Sequence, residues 1–271
     1  MLDWWIAAVL GVVEGVTEFL PVSSTGHLIL AGHLLGFSGE KASCFDVFIQ
    51  LGAICAVVCL YYYRFIGLIP LNGFSGFARQ GFSGLRGITL LAVTTLPALL
   101  IGALAHRAIK EYLFGPITVV WALGVGGIAL ILVERFKPES SVEELDHLSY
   151  KQALTVGLFQ ILAMWPGVSR AAATIVGGML SGLNRKVAAE YSFLAAVPVM
   201  VAATGYDLYK GWQFLSAADL GFFAVGFIVS FLSAALAVKT FISLVQRWSL
   251  VPYAWYRIAV AVVVYLMLVT H

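Results

Sequence analysis

Glu14-Gly-Val-Thr-Glu-Phe-Leu-Pro-Val-Ser-Ser-Thr-Gly-His27 sets two carboxylates, a run of hydroxyls and an imidazole inside an otherwise apolar segment. Glu14 and Glu18 are four residues apart, so on a helix they share one face, one turn apart. Pro21 breaks that helix. Ser23, Ser24, Thr25 and Gly26 favour a turn and a helix cap, with Ser23 and Thr25 the expected capping residues. His27 then opens a second apolar run, Leu28 to Leu35. The pattern is helix, polar turn, helix, with ionisable groups at the turn. In a bilayer an acidic side chain at a helix centre costs about 3 kcal/mol. The stretch therefore reads as a functional site lining a wet cavity.

Composition places that site in a membrane. The 271 residues are 61% hydrophobic and 11% charged, with mean hydropathy +0.95; a soluble domain carries about 25% charged residues. The expectation is an all-α polytopic membrane protein. The net charge of +2 comes with no basic stripe, so no nucleic-acid partner is expected. Cys55 and Cys59, four apart in an apolar run, read as small packing residues rather than a bridge or a metal site. Asp3 and the lack of a basic segment at the start give the expectation of no cleavable signal peptide.

Six apolar runs are about as long as a crossing requires: Cys44–Tyr63, Ile88–His106, Pro116–Val133, Tyr191–Tyr209, Leu220–Val238 and Pro252–Val269. Two further regions, Trp4–Leu35 and Tyr150–Leu183, are interrupted by proline and polar residues. Each is expected to be two half-length helices around a turn, a re-entrant hairpin. The halves echo one another: Ala7, Gly11 and Glu14 match Ala153, Gly157 and Gln160, and Gly32–Gly36 matches Gly178–Gly182. Pro21-Val-Ser-Ser24 matches Pro166-Gly-Val-Ser169 with a slip of one residue. A hairpin plus three crossings is an odd count, so the second half is expected upside down. That makes one integral membrane domain over 1–271, with inverted repeats at about 1–134 and 150–271 joined by a hydrophilic linker, 135–149, and a site near the midplane.

Basic residues set the orientation. Arg64, Arg79, Arg86, Arg135, Lys137, Lys151, Arg185, Lys186, Lys239 and Arg247 fall on one side; Lys41, Arg107, Lys110 and Lys210 fall on the other. The richer side is expected in the cytoplasm. Both termini, and the hairpin holding Glu14 and His27, then lie outside. Trp4, Trp5, Tyr61–Tyr63, Trp248 and Tyr253 fit interfacial belts, with His33 and His106. His147 lies in the linker, and Asp46 and Asp207 near span ends need no special role.

The second hairpin holds Pro166-Gly-Val-Ser-Arg170 and Thr174. An arginine beside hydroxyls at the start of a helix makes an anion cradle: the helix end supplies N–H donors and the guanidinium grips phosphate through two bonds. Glu14 and Glu18 have three readings: ligands of a hard divalent cation, a general base, or a buried pair neutralised by Arg170. Ser24 reads as a nucleophile with His27 as its base, while His27 is also open as nucleophile or acid. Gln50 and Arg257, polar groups inside spans, read as bridges between helices.

These residues resemble the undecaprenyl-diphosphate phosphatase family, the bacitracin-resistance type of integral membrane phosphatase. The likeness covers nearly the whole chain and is carried by Glu14–His27 and by Pro166–Arg170 with Thr174. At the second motif the family reads Pro-Gly-x-Ser-Arg-Ser-Gly-x-Thr, and Ala171 and Ala172 stand here in place of Ser and Gly. The resemblance implies a metal-dependent hydrolase, using Mg2+ or Ca2+. It removes the terminal phosphate of the polyprenyl diphosphate that carries peptidoglycan precursors, in the bacterial inner membrane with its active site facing out. Glu14, Glu18 and His27 are then the catalytic acidic and imidazole groups, with Glu14 and Glu18 at the metal. Ser24, Ser169, Arg170 and Thr174 handle phosphate, with Ser23 and Thr25 beside them. The expected partners are the lipid substrate, membrane lipids and a second copy in a homodimer. A polyprenyl-phosphate carrier that flips its lipid is the competing expectation, motivated by the inverted repeat.

Overall fold

In chain order the helices are α1 (Trp4–Thr17), α2 (Ser24–Leu34), α3 (Glu40–Leu60), α4 (Tyr62–Leu68), α5 (Gly84–Leu113), α6 (Pro116–Phe136), α7 (Tyr150–Leu162), α8 (Arg170–Leu180), α9 (Arg185–Gly211), α10 (Leu220–Val245) and α11 (Val251–Thr270). They come from a computed structural model that describes residues 3–69, 81–113, 115–211 and 219–270. Among these residues there is no strand, only an isolated bridge between Val142 and Leu183. Arg79 and the side chains of His106, Arg107 and Lys110, used above for orientation and interface placement, lie outside the described residues.

Helices α3, α5, α6, α9, α10 and α11 are long and apolar enough to cross a membrane, and they coincide with the six expected spans. Their outer faces carry Leu104, Trp121, Leu132, Leu236 and Val262, all exposed. So much exposed apolar surface would be a liability in water. On a spanning helix it is the surface lipid requires, and the chain is a multi-pass membrane protein.

The two interrupted regions are each a pair of short helices, for local reasons. α1 ends at Glu18, whose N–H still donates to Glu14 O at 2.9 Å; Pro21 lacks the N–H to go further. α7 opens with a capping box, Gln152 N donating to Ser149 Oγ at 3.3 Å and Ser149 N to Gln152 Oε1 at 2.9 Å. It stops before Pro166. The correspondence between the regions runs at one constant spacing along the chain: Trp4 against Tyr150, Ser23 against Ser169, Leu34 against Leu180, Gly36 against Gly182. The register expected from the prolines was one residue out. The serine at the head of the second short helix keeps the spacing, and the proline before it moves.

Packing crosses between the halves. α1 lies along α10 and α7 along α5, while α3 meets α9 and α6 meets α11. The matched glycines make the crossing contacts close. A Cβ on Gly11 would sit 2.7 Å from Gly226 O of α10, and one on Gly157 would sit 2.7 Å from Thr94 O of α5. α9 is the most buried of the six long helices and runs through the middle of the largest core cluster.

The linker is stitched to one end of the helices rather than hanging free. Ser141 N donates to Gly182 O and Asn184 N to Val142 O. The Arg64 guanidinium and the Phe82 amide both donate to Asp146, and Arg86 donates to Leu148 O. At the same end Glu134 accepts from Arg185 and from Leu250 N. Near the starts of α3 and α10, Lys41 pairs with Asp219 at 3.0 Å. The cysteines correct one expectation. Cys55 and Cys59 are exposed on α3, because the inward face of that turn belongs to Ala53, Ala56 and Val57; Cys44 is the buried one.

Candidate active site

A cavity of about 140 Å³ lies where the turns of the two short-helix pairs meet. The α1–α2 turn contributes Glu18, Ser23, Ser24 and Thr25. The α7–α8 turn contributes Ala163, Pro166, Gly167, Ser169 and Arg170. Gln50 of α3 and Met200 of α9 complete the wall. The two stretches singled out in the sequence, some 150 residues apart, therefore share one space.

Its chemical centre is a chain of three side chains. The Ser24 hydroxyl donates to Glu18 Oε2 in a short hydrogen bond. Glu18 Oε1 accepts from Arg170 Nη2 at 3.0 Å. Arg170 Nη1 donates to Ser192 O at 3.2 Å, and its guanidinium lies 5.4 Å from the centre of the Phe19 ring. All three are largely buried, where a carboxylate needs such partners to remain charged. Arg170 Nε has no partner. The arrangement sets a hydroxyl, a carboxylate that accepts from it and a guanidinium side by side, the groups that activation of a serine oxygen would use.

Both turns reach the cavity through strained backbone. Ser23 and Ser169 are the non-glycine residues with positive φ among the described residues, each at φ 74, a conformation that a side chain makes unfavourable. From there they diverge. Ser169 Oγ accepts from Ala172 N at 3.2 Å and caps α8. Ser23 makes no side-chain cap, so the N–H groups that open α2 keep no side-chain acceptor. The open helix start, with its dipole and donors, is thus that of α2, beside Ser24 and Thr25, rather than that of α8 where the sequence pointed. Capping by Ser23, expected above, does not occur, although Ser169 with the same φ caps α8.

Several predicted site residues lie around this centre rather than in it. Glu14 is fully buried, does not line the cavity, and neither carboxylate oxygen has a hydrogen-bond partner. His27 also lies off the cavity wall. Its Nδ1 is 2.7 Å from Ser23 O, its Nε2 2.7 Å from Tyr256 Oη, and its ring stacks on Tyr256. With Nδ1 donating to the carbonyl, Nε2 accepts from the phenol, and the imidazole braces the strained Ser23. The partner of Ser24 is Glu18, where the sequence suggested His27. Thr174 is fully buried; its hydroxyl donates to Arg170 O at 2.8 Å and meets Ser192 Oγ at 2.6 Å, so it supports the arginine from behind. Ala171 and Ala172, which stand where the family has Ser and Gly, are buried on α8 and do not line the cavity.

Two polar groups inside spans mattered more than the sequence conveyed. Arg257 is fully buried and meets no carboxylate among the described residues. It donates to Pro21 O at 3.3 Å, to Gly167 O at 3.1 Å and to Ala122 O at 3.1 Å, tying both turns to α6. Gly126 makes room for it, since a Cβ there would run into the guanidinium. An arginine within the apolar run of α11 was the available signal; its three acceptors are backbone atoms and leave no mark in sequence. Gln50, read as a helix bridge, instead faces the cavity.

The fold and this buried serine–carboxylate–guanidinium centre define an integral membrane protein with a polar cavity between two pairs of short helices. The chain belongs to the family described as Bacitracin resistance protein BacA, which it matches over residues 7–263. It is 59% identical over 262 residues to the undecaprenyl-diphosphatase of Maridesulfovibrio salexigens, covering 96% of this chain and 97% of that one. It is 58% identical over 265 residues to the undecaprenyl-diphosphatase of Nitratidesulfovibrio vulgaris, covering 98% of each, and 58% identical over 263 residues to that of Desulfovibrio desulfuricans, covering 97% of each.

Proposed function

We propose that this protein is an undecaprenyl-diphosphatase: it hydrolyses the terminal phosphate of undecaprenyl diphosphate and returns the monophosphate carrier to peptidoglycan synthesis, which confers bacitracin resistance. Near-full-length relatives of that name support the activity. The observation that carries the chemistry is the Ser24–Glu18–Arg170 chain in a cavity shared by both turns.

In this reading Ser24 Oγ attacks the terminal phosphorus and its proton passes to Glu18. The new P–O bond forms as the bond to the bridging oxygen breaks, Glu18 passes the proton on to that departing oxygen, and polyprenyl monophosphate leaves with Glu18 ionised again. Water then attacks the phosphoserine with Glu18 as base, releasing inorganic phosphate and returning a proton to Ser24. Arg170 sets its guanidinium charge beside the phosphoryl oxygens, and the uncapped start of α2 offers backbone N–H groups. Serine at φ 74 holds the turn so that these donors are in place before the substrate arrives.

Glu14 fits a divalent cation. Two carboxylate oxygens buried without a donor require a proton or a metal ion nearby. Glu14 and Glu18 would hold Mg2+ or Ca2+ together with phosphate oxygens, and the ion would supply charge neutralisation at the transferring group. His27, Ser23, Ser169 and Thr174 serve as positioning residues around Ser24 and Arg170.

The same reading makes 1–134 and 150–271 inverted repeats of a single membrane domain, with α1–α2 and α7–α8 as re-entrant hairpins entering from opposite sides. The constant spacing and the crossed packing of α1 on α10 and α7 on α5 support it. The linker lies in the cytoplasm, the site opens outward, both termini are outside, and the membrane is the bacterial inner membrane. Labelling of Ser38→Cys by an impermeant thiol reagent added outside, and of Ser140→Cys only from the cytoplasm, is the expected result. Labelling of both from one side breaks the inversion.

The test of the activity is phosphate release from a polyprenyl diphosphate by purified protein in detergent, where there is no second compartment. Steady turnover is expected, with phosphoserine trapped at Ser24 on acid quench. Binding without turnover favours the lipid carrier instead. Turnover with no phosphoenzyme moves the attack to water and leaves Glu18 as its base.

A further inference from the structure

We infer that Gln50 is a substrate-binding residue whose side-chain amide donates to the terminal phosphate from the α3 wall of the cavity, an inference that rests on the phosphatase reading above. Gln50 lies midway along α3 (Glu40–Leu60), a helix apolar enough to span the membrane. There a polar side chain is unfavourable unless it has a partner or faces water. Its amide makes no hydrogen bond to any described residue, and it lines the cavity with Glu18, Ser24 and Arg170.

The other glutamines in apolar helices behave differently. Gln152 donates to Ser181 O at 3.1 Å and Gln160 to Thr94 O at 3.4 Å; both bridge to other segments, the role expected of Gln50. Gln50 alone of these three keeps its amide for the cavity. That choice suits the charge balance. Glu18 and Arg170 largely cancel each other, and most of the Arg170 donors are already engaged. A terminal phosphate brings three non-bridging oxygens to a site whose free donors are the α2 N–H groups and neutral side chains. A neutral amide adds a donor without binding the phosphate product too tightly. It also comes from a third element, so a phosphate touching α2, Arg170 and Gln50 is fixed in three directions.

Gln50 makes no hydrogen bond to Ser24 or Glu18, so it acts on binding more than on the chemical step. Gln50→Leu is expected to raise KM for the polyprenyl diphosphate roughly 10- to 100-fold with kcat within about threefold. The inhibition constant of inorganic phosphate should rise by a similar factor. Gln50→Glu should weaken both further, through charge repulsion. Thermal stability of Gln50→Leu should equal or exceed that of the starting protein, because an unpartnered polar group leaves an apolar helix. A helix-bridging role gives the opposite: lower Tm with unchanged KM and phosphate inhibition, and that result overturns the inference. A fall in kcat alone also overturns it. If the unsubstituted protein shows no turnover, the phosphatase reading fails on its own. Equilibrium titration with inorganic phosphate then decides Gln50, with equal affinity for both proteins sinking it and weaker binding by Gln50→Leu upholding it as an anion-binding residue.

Discussion

The α1–α2 turn and the α7–α8 turn hold a serine at the same φ and the same spacing, each followed by a short helix of the same length, yet their side chains do different work. Where the first has Ser24, the second has Arg170. Where the first buries Glu14 without a partner, the second has Gln160 bonded to Thr94 O. Where Ser23 leaves its helix uncapped, Ser169 caps its own. One backbone thus supplies an acidic half with a hydroxyl and an open helix start and a basic half with a guanidinium, and they meet at one cavity. What the two turns share is what is hard to build, a strained turn buried among helices. What differs between them is the side chain at the tip.

The sharpest way to break this contrast is to make one substitution at both serine-bearing turns. Ser24→Ala is expected to lower turnover at least about a thousandfold, since it removes the attacking oxygen. Ser169→Ala removes a helix cap, worth about 1 kcal/mol of stability, and should leave turnover within about tenfold while lowering Tm. Equal losses of turnover from both would mean that the two turns share the chemistry symmetrically. Phosphate release and thermal melts on the same preparations decide it.

Arg257 holds the two turns together, so it tests whether they act as one site. Lysine is a point charge that cannot reach Pro21 O, Gly167 O and Ala122 O at once. Arg257→Lys should lower kcat by roughly a hundredfold, the scale of a misplacement of about 1 Å, with the protein still inserted. Unchanged kcat would show that the turns keep their relation without it.

The smallest effect belongs to the linker, outside both turns. Burial alone would raise the Asp146 carboxyl, but the Phe82 amide and the Arg64 guanidinium outweigh it and hold the group below the usual aspartate range. A lowered folded-state value stabilises above the unfolded pKa of about 3.9 and is lost as pH falls through the folded value. Asp146→Asn should therefore lower Tm slightly and evenly at pH 5 to 8, and the difference should close as pH falls through the lowered folded value. The pair is half-exposed, so the effect is at most about 1 kcal/mol. A difference that grows on acidification would assign the stabilisation to another group.

Much of the molecule was legible in the chain. Hydropathy determined the six long helices, because a bilayer admits few ways to bury a backbone. Pro21 and Pro166, each between apolar runs, determined the two broken ones, and charge inside those runs marked the site. The sequence by itself therefore settled the elements, their order and the residue types at the tips. It could not settle which tip residues touch. Ser24 engages Glu18 rather than His27 because Ser23 takes a conformation that no local pattern announces, and His27 is drawn away by Tyr256 from the far end of the chain. Arg257 finds its three acceptors on backbone carbonyls, which every residue carries and no composition distinguishes. Gln50 looked like a bridge until the packing of α3 left nothing opposite it but the cavity. Periodicity and propensity are properties of neighbours along the chain. The partner of a buried polar group is decided by elements from four parts of the sequence arriving in one place, and only the tertiary structure brings them there.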